Sequence, residues 1–265
     1  MKPLFLHELK QNRATAIIWA VSLLAVSALY LSLFPALSKQ TETISKVLMN
    51  YPVAVREALG ITATSYSTLK AFYAVILGFI TLAGAIQAMN LSTALTSREE
   101  RNQTAEFLLA KPISRTTILT AKLLAVATIL LGTNIVYVGG TRLFIYATGV
   151  SIDTKLFLLM SLTLLLIQTF FLAFGFIISV SAKRIKSVLT VSFTSVFGFY
   201  IIGILDAVLG AKNIRYLTPF KFFDYAYIMK NSSYEWQYII LELVLVVAAI
   251  VAGYLVYIRR NIRSI

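Results

Sequence analysis

Two carboxylates, Asp206 and Glu242, fall within long apolar runs of the 265-residue chain, where an ionised group is costly enough to be a functional candidate. Facing one another in a membrane, two acids could share a proton and activate water, as an aspartyl-type intramembrane protease requires. Singly, either could line a passage. Nothing around them forms a catalytic motif, and hydration at the outer interface is an equal reading of both. His7 is the single histidine. It cannot supply H-E-x-x-H, so a zinc protease is excluded and His7 reads as an interfacial or solvated side chain. The absence of cysteine removes disulfides, thiolate metal sites and thiol chemistry. The phosphate-cradling loop G-x-x-x-x-G-K-[ST] is also absent, so the chain does not bring an ATPase site of its own.

The richest polar stretch is Thr96 to Lys122, TSREERNQTAEFLLAKPISRTTILTAK. Ser97 and Glu100 have capping-box spacing, which predicts a helix starting there with Glu99 and Glu100 near the positive end of its dipole. Pro112 stops or turns the chain, and Ser114 is placed to cap the following helix. The stretch therefore reads as a short charged helix, an apolar patch at Phe107 to Leu109, and a turn. A solvated loop with membrane-flanking charges is the plainer alternative.

The elements that hold these residues follow from composition. Hydrophobic residues make up 58% of the chain and charged ones 13%, against roughly a quarter in a soluble domain. Apolar runs of about 20 residues, each long enough to cross about 30 Å of hydrocarbon, recur throughout. They predict an all-α polytopic membrane protein with six spans: Ala14 to Leu37, Leu69 to Leu95, Ile118 to Val138, Leu156 to Val180, Val188 to Leu209 and Tyr238 to Ile258. Of the 24 Lys and Arg residues, 14 fall on the side bearing both termini, which the positive-inside rule places in the cytoplasm. The short segment Ala182 to Ser187, with Lys183, Arg184 and Lys186, carries the sharpest bias. The net charge of +13 is spread through such clusters, pointing to anionic lipid and topology rather than nucleic acid.

Residues 1–13, MKPLFLHELKQNR, read as an amphipathic elbow helix along the inner interface. A cleaved signal peptide is the competing reading, but apolar sequence continues to Leu37. Thr41 to Gly60, interrupted by Pro52, predicts one or two short helices on the outer surface. The aromatic stretch Ala211 to Trp236 is expected to pack against the bundle or re-enter the membrane. Gly132, Gly139 and Gly140 suggest close packing or a bend in the third span. Trp19, Tyr200 and the phenylalanines 170, 171, 174 and 176 are candidates for an apolar passage, although most such aromatics face lipid or neighbouring helices.

In order and spacing these features resemble the ABC-2 type permease family. The matching elements are Arg98-Glu99-Glu100-Arg101, Thr104-Ala105-Glu106-Phe107-Leu108-Leu109 and Pro112-Ile113-Ser114-Arg115, with Tyr51-Pro52 to Leu59-Gly60-Ile61 and Leu217-Thr218-Pro219-Phe220 to Asp224 in the outer loops. Asn102 and Gln103 stand where many members carry a glycine. The resemblance implies a single permease domain over 1–265, with residues 96–112 as a coupling region: Phe107 and Leu108 anchoring a pocket on a separate ATPase and Ser97, Glu99, Glu100, Arg101, Thr104 and Glu106 around them. It further implies two ATPase subunits carrying ATP and Mg, no cofactor on this chain, a homodimer or heterodimer with a related permease, and a bacterial or archaeal cytoplasmic membrane. Export of a hydrophobic or amphipathic substrate, such as an antimicrobial or toxin-like peptide or a drug, is the expected activity, with Trp19, Tyr200, Asp206 and Glu242 as possible pathway residues. An ATP-independent transporter lacks support from internal repeats. An accessory or immunity membrane protein is the other alternative.

Overall fold

The computed structural model describes residues 1–58, 66–101, 113–182, 185–209 and 214–259, with only the backbone described for a few, Glu99 and Glu100 among them. Every regular element among them is helical: α1 (Lys2–Ser38), α2 (Thr41–Met49), α3 (Val53–Ala58), α4 (Leu69–Arg101), α5 (Arg115–Ala147), α6 (Thr154–Ser181), α7 (Val188–Leu209), α8 (Tyr225–Asn231) and α9 (Trp236–Arg259), with 3-10 turns at Ile214–Leu217 and Pro219–Lys221. Six of these, α1, α4, α5, α6, α7 and α9, are long and apolar enough to cross a membrane. They run alternately up and down, so the beginning of α1, the end of α4 and the beginning of α5 share one face, here the near face.

Local chemistry sets several helix ends. Ser114 caps α5 by accepting from the Thr117 amide at 3.2 Å, as its position predicted. Asp153 caps α6 through the Leu156 amide at 2.9 Å. Asp224 caps α8 through the Ala226 amide at 2.8 Å.

Two helices overrun their expected bounds. Residues 2–13 are helical, but no break separates them from the first span, and α1 is a single rod of 37 residues, about 55 Å long. Its N-terminal proline, Pro3, lies in the first turn, where a missing N–H costs nothing, and no breaker follows before the span. At the end of α4 the expectation of a new helix starting at Ser97 is corrected. The helix continues to Arg101, because Leu95 to Arg101 contains no breaker, and the Ser97 hydroxyl turns back to donate to the Thr93 carbonyl at 2.7 Å.

The bundle is centred on α4 and α6. Of their most apolar windows 61% and 67% is buried, against 22% in α7 and 17% in α9. Ser92 Oγ donates to the Leu172 carbonyl across this seam at 2.7 Å. A Cβ at Gly175 of α6 would stand 3.0 Å from both the Met89 carbonyl oxygen and Thr93 Oγ1 on α4. Gly175→Ala must therefore push the two central helices apart, an overpacking cost of about 1–3 kcal/mol. A Cβ at Gly132 or Gly139 meets nothing within 4 Å, so alanine at either should be neutral or mildly stabilising. Denaturant titration of the three variants in mixed micelles checks this order. Of the three glycines in the third span, only Gly140 packs closely, its Cβ position lying 2.7 Å from the Leu24 side chain of α1.

On the far face, α2 and α3 are the two short helices divided by Pro52. The aromatic segment after α7 packs down on the bundle as expected, burying Pro219, Phe222, Phe223 and Ile228. Phe222 stacks on Tyr238 with centroids 5.9 Å apart. Arg215 holds the turn, its guanidinium 4.0 Å above the Tyr238 ring and ion-paired with Glu235.

Candidate functional site

At the near face, three helices are tied together by one carboxylate. Glu8, early in α1, is 2% exposed. Its Oε2 accepts from Arg98 of α4 at 2.8 Å, and Nζ of Lys122 on α5 lies 3.8 Å from Oε1. Lys122, also 2% exposed, donates to the Leu95 carbonyl of α4. Arg98 reaches two further groups of α1, Gln11 Oε1 at 2.6 Å and Asn12 Oδ1 at 3.1 Å, while the Asn12 amide donates to the Glu8 carbonyl at 2.7 Å. Buried charges persist only when paired and hydrogen-bonded, and here each charge meets an opposite charge on another helix.

The position of this cluster matters more than its strength. Residues 102–112 join α4 to α5, beginning four residues after Arg98 and ending ten before Lys122. The helix ends on either side of that segment are fastened to α1 and, through α4, to the central seam with α6. Arg115 adds a second tie, donating toward the Ile258 carbonyl at the end of α9 at 3.4 Å. The near face thus ties α1, α4, α5 and α9 together and, through the α4–α6 seam, reaches α6.

Of the expected coupling residues, Ser97 is buried inside α4, Glu99 and Glu100 lie on its last turns, and Arg101 ends it. Thr104, Glu106, Phe107 and Leu108 lie outside the described residues. The four pathway candidates stand on three helices, and the near-face cluster includes none of them. Trp19 packs on the core from α1, and Tyr200 of α7 meets Phe220 edge-on at 5.5 Å. Asp206 is half-buried near the far end of α7. Glu242 is 4% exposed, on the α9 face that also buries Tyr238, Val246 and Gly253, and neither of its oxygens has a hydrogen-bond partner among the described residues. Phe170, Phe171 and Phe174 close with Phe199 into a ring cluster between α6 and α7, which makes them packing residues.

Sequence reasoning overlooked a mid-bundle chain of amides. Gln168 of α6 donates to Gln87 of α4 at 3.0 Å, Gln87 donates to Thr133 of α5 at 3.1 Å, and Asn134 of α5 donates to Gln168 at 2.5 Å. Gln87, Asn134 and Gln168, amides within apolar runs, are the signal in the sequence that marks this chain. Glu8 was hidden for another reason: in an amphipathic segment its carboxylate looks solvated.

Six helices long and apolar enough to span a membrane, packed around one core with a polar tie at one face, fit a multi-pass membrane protein. The chain belongs to the ABC-2 family of transporter proteins, whose family model matches residues 3–262. Membership makes it a membrane transport subunit, not itself catalytic, of a kind that works with an ABC ATPase in general. Among curated proteins no relative matches.

Proposed function

We propose that this chain is the membrane subunit of an ATP-driven exporter, converting ATP binding and hydrolysis on a separate ATPase into movement of its helices. The observation that carries this reading is the Glu8–Arg98–Lys122 cluster, which fastens α1, α4 and α5 at the helix ends on either side of residues 102–112. Within residues 102–112 Phe107 and Leu108 supply an apolar anchor, and Glu106, with Glu99, Glu100 and Arg101 before it, a charged rim, the composition of a small docking hot spot. Two ATPase subunits, each with ATP and Mg, would serve a pair of such permeases, either two copies or one with a related chain. Both termini face the cytoplasm of a bacterial or archaeal cell in this reading.

A hydrophobic or amphipathic cargo, such as an antimicrobial or toxin-like peptide or a drug, fits spans with few charges deep in the membrane. Trp19, Tyr200, Asp206 and Glu242 are assigned to its pathway in this proposal, with Glu242 suited to a cationic group because its carboxylate has no hydrogen-bond partner among the described residues.

The test is affinity capture of the tagged chain from its native membrane in nanodiscs, with mass spectrometry and an ATPase assay. A stoichiometric ATPase subunit is expected. Its repeated absence under gentle conditions would replace this proposal with an ATP-independent transporter or an accessory or immunity protein.

A further inference from the structure

Two acids are buried in spanning helices, and only one of them is answered. Glu8 stands between two cations, whereas neither carboxyl oxygen of Glu242 on α9 meets a donor among the described residues. Two contacts bound its position. Tyr234, just before α9, donates its phenol proton to the Leu159 carbonyl of α6, and Gly253 of α9 lies directly on the Phe176 ring further along α6. Glu242 precedes Gly253 by eleven residues, about three helical turns, which sets both on the side of α9 that packs against α6.

The surroundings offer this carboxyl neither charge nor proton. From Leu156 to Ser181 α6 has no charged residue. Its one cation, Lys155, lies a turn beyond the Leu159 contact and is exposed. The hydroxyl protons of Ser161, Thr163 and Thr169 go to carbonyls of α6 itself, and the Gln168 amide goes to Gln87. The other helix against α9 is α5, whose cations are all engaged elsewhere: Arg115 at the last turn of α9, Lys122 at the Leu95 carbonyl beside Glu8, Arg142 at Thr154. Arg215, above the Tyr238 ring one turn before Glu242, is committed to Glu235 and the Lys221 carbonyl. Tyr234 is within electrostatic reach of Glu242, but its single proton is spent on Leu159.

Burying an isolated carboxylate costs far more than taking up a proton. The helix that bears this one is also the least buried of the six spans and is fastened at its near-face end, by Arg115 and by a 2.7 Å bond between Thr120 Oγ1 and the Tyr254 hydroxyl. We propose that Glu242 is a proton-binding site that latches the far half of α9 to α6. With the proton in place the carboxyl is neutral and stays buried. When the O–H bond breaks and the proton passes to water, the carboxylate must be hydrated, and α9 swings from α6 about its near-face ties. The closed state holds more protons than the open one, so rising pH favours opening once it passes the ordinary carboxyl range of about 4. In the open state the carboxylate is within reach of a cationic group, in keeping with the pathway role assigned above. The latch needs neither cargo nor an ATPase, so its failure would leave the exporter reading in place.

The test uses the full chain in nanodiscs of ether-linked lipid, which has no ester carbonyl to mask a carboxylic acid in the infrared. At neutral pH solvated Asp and Glu are ionised, and a protonated-acid carbonyl stretch should remain that Glu242→Gln removes. The chain has no cysteine, so spin labels can be placed at Leu158→Cys on α6 and Ile240→Cys on α9, both exposed positions. Double electron–electron resonance then reads the populations of short and long separations. Release of one proton per opening makes the open-to-closed ratio rise by up to about tenfold per pH unit between about pH 5 and about pH 9. Glu242→Gln, a neutral match in shape, should stay closed throughout, and Glu242→Asp should keep a pH dependence. Absence of the acid band from the wild-type chain at neutral pH, or a separation as flat with pH as that of Glu242→Gln, overturns the latch.

Discussion

Glu8→Ala will cost about 3–5 kcal/mol of stability, the loss expected when one partner of a buried ion pair is removed and the other charge is left behind. The near-face geometry argues for this range rather than the small effect of a surface salt bridge. Glu8 is 2% exposed and stands between two cations from different helices. Arg98 is partly open to solvent, with 17% of its side chain exposed, but Lys122 is as deeply buried as Glu8. Without the carboxylate, that ammonium keeps its bond to the Leu95 carbonyl but loses the opposing charge of Glu8 inside the bundle. Glu8→Gln keeps the shape and a hydrogen-bond acceptor for Arg98, so it should cost less than alanine. Arg98→Ala should cost less again, since Glu8 then retains Lys122. Equilibrium unfolding in mixed micelles measures all three, and a Glu8–Arg98 double-mutant cycle isolates the coupling. A Glu8→Ala change within about 0.5 kcal/mol of wild type, the ordinary surface range, would mean that the cluster is no structural tie.

The six spans were legible because a bilayer imposes one rule, about 20 apolar residues in a helix, and each run in this sequence obeys it. Helix ends were legible where a side chain makes them, as at Ser114. At Ser97 the same reasoning misled. Serine three residues before glutamate is a capping signal only if the chain enters the helix there, and a helix already running absorbs both residues, leaving Ser97 to bond its own i−4 carbonyl. The elbow failed similarly: amphipathicity describes which side of residues 2–13 is polar, while the angle to the next helix depends on a breaker that this sequence lacks.

The candidate site divides along the same line. Charges bracketing residues 102–112 are visible in the sequence, but the partner of each is not, because Glu8 and Arg98 are 90 positions apart. Only packing brings them together. The amide chain illustrates the converse. Gln87, Asn134 and Gln168 are visible as polar residues in apolar runs, yet their value lies in direction, since the single proton of Thr133 orients every amide that follows and determines which oxygen remains open. Such ordering is set by three helices at once, and each helix read alone shows only a tolerated polar residue.

Substituting Phe107 with alanine, or reversing Glu106 to lysine, is expected to separate ATP hydrolysis from transport while leaving insertion and folding intact. Phe107 heads the apolar run Phe107 to Leu109 in the sequence, and truncating an aromatic anchor at the centre of a docking contact removes about 2 kcal/mol or more of binding, some thirtyfold in affinity. Glu106 is a rim charge, so its reversal should act mainly on association rate and salt dependence. Neither residue belongs to the Glu8–Arg98–Lys122 tie, so the unfolding midpoint should stay at the wild-type value, in contrast to Glu8→Ala. The two sets of variants therefore separate two roles that a single loss of transport would confuse: holding the helix ends together, and receiving force from an ATPase. Reconstituted complexes report both, through cargo-stimulated ATP hydrolysis and cargo movement in the same vesicles. Wild-type coupling in both loop variants would remove residues 102–112 from the force path, whatever the Glu8 variants show, and would leave the near-face cluster as a purely structural clamp.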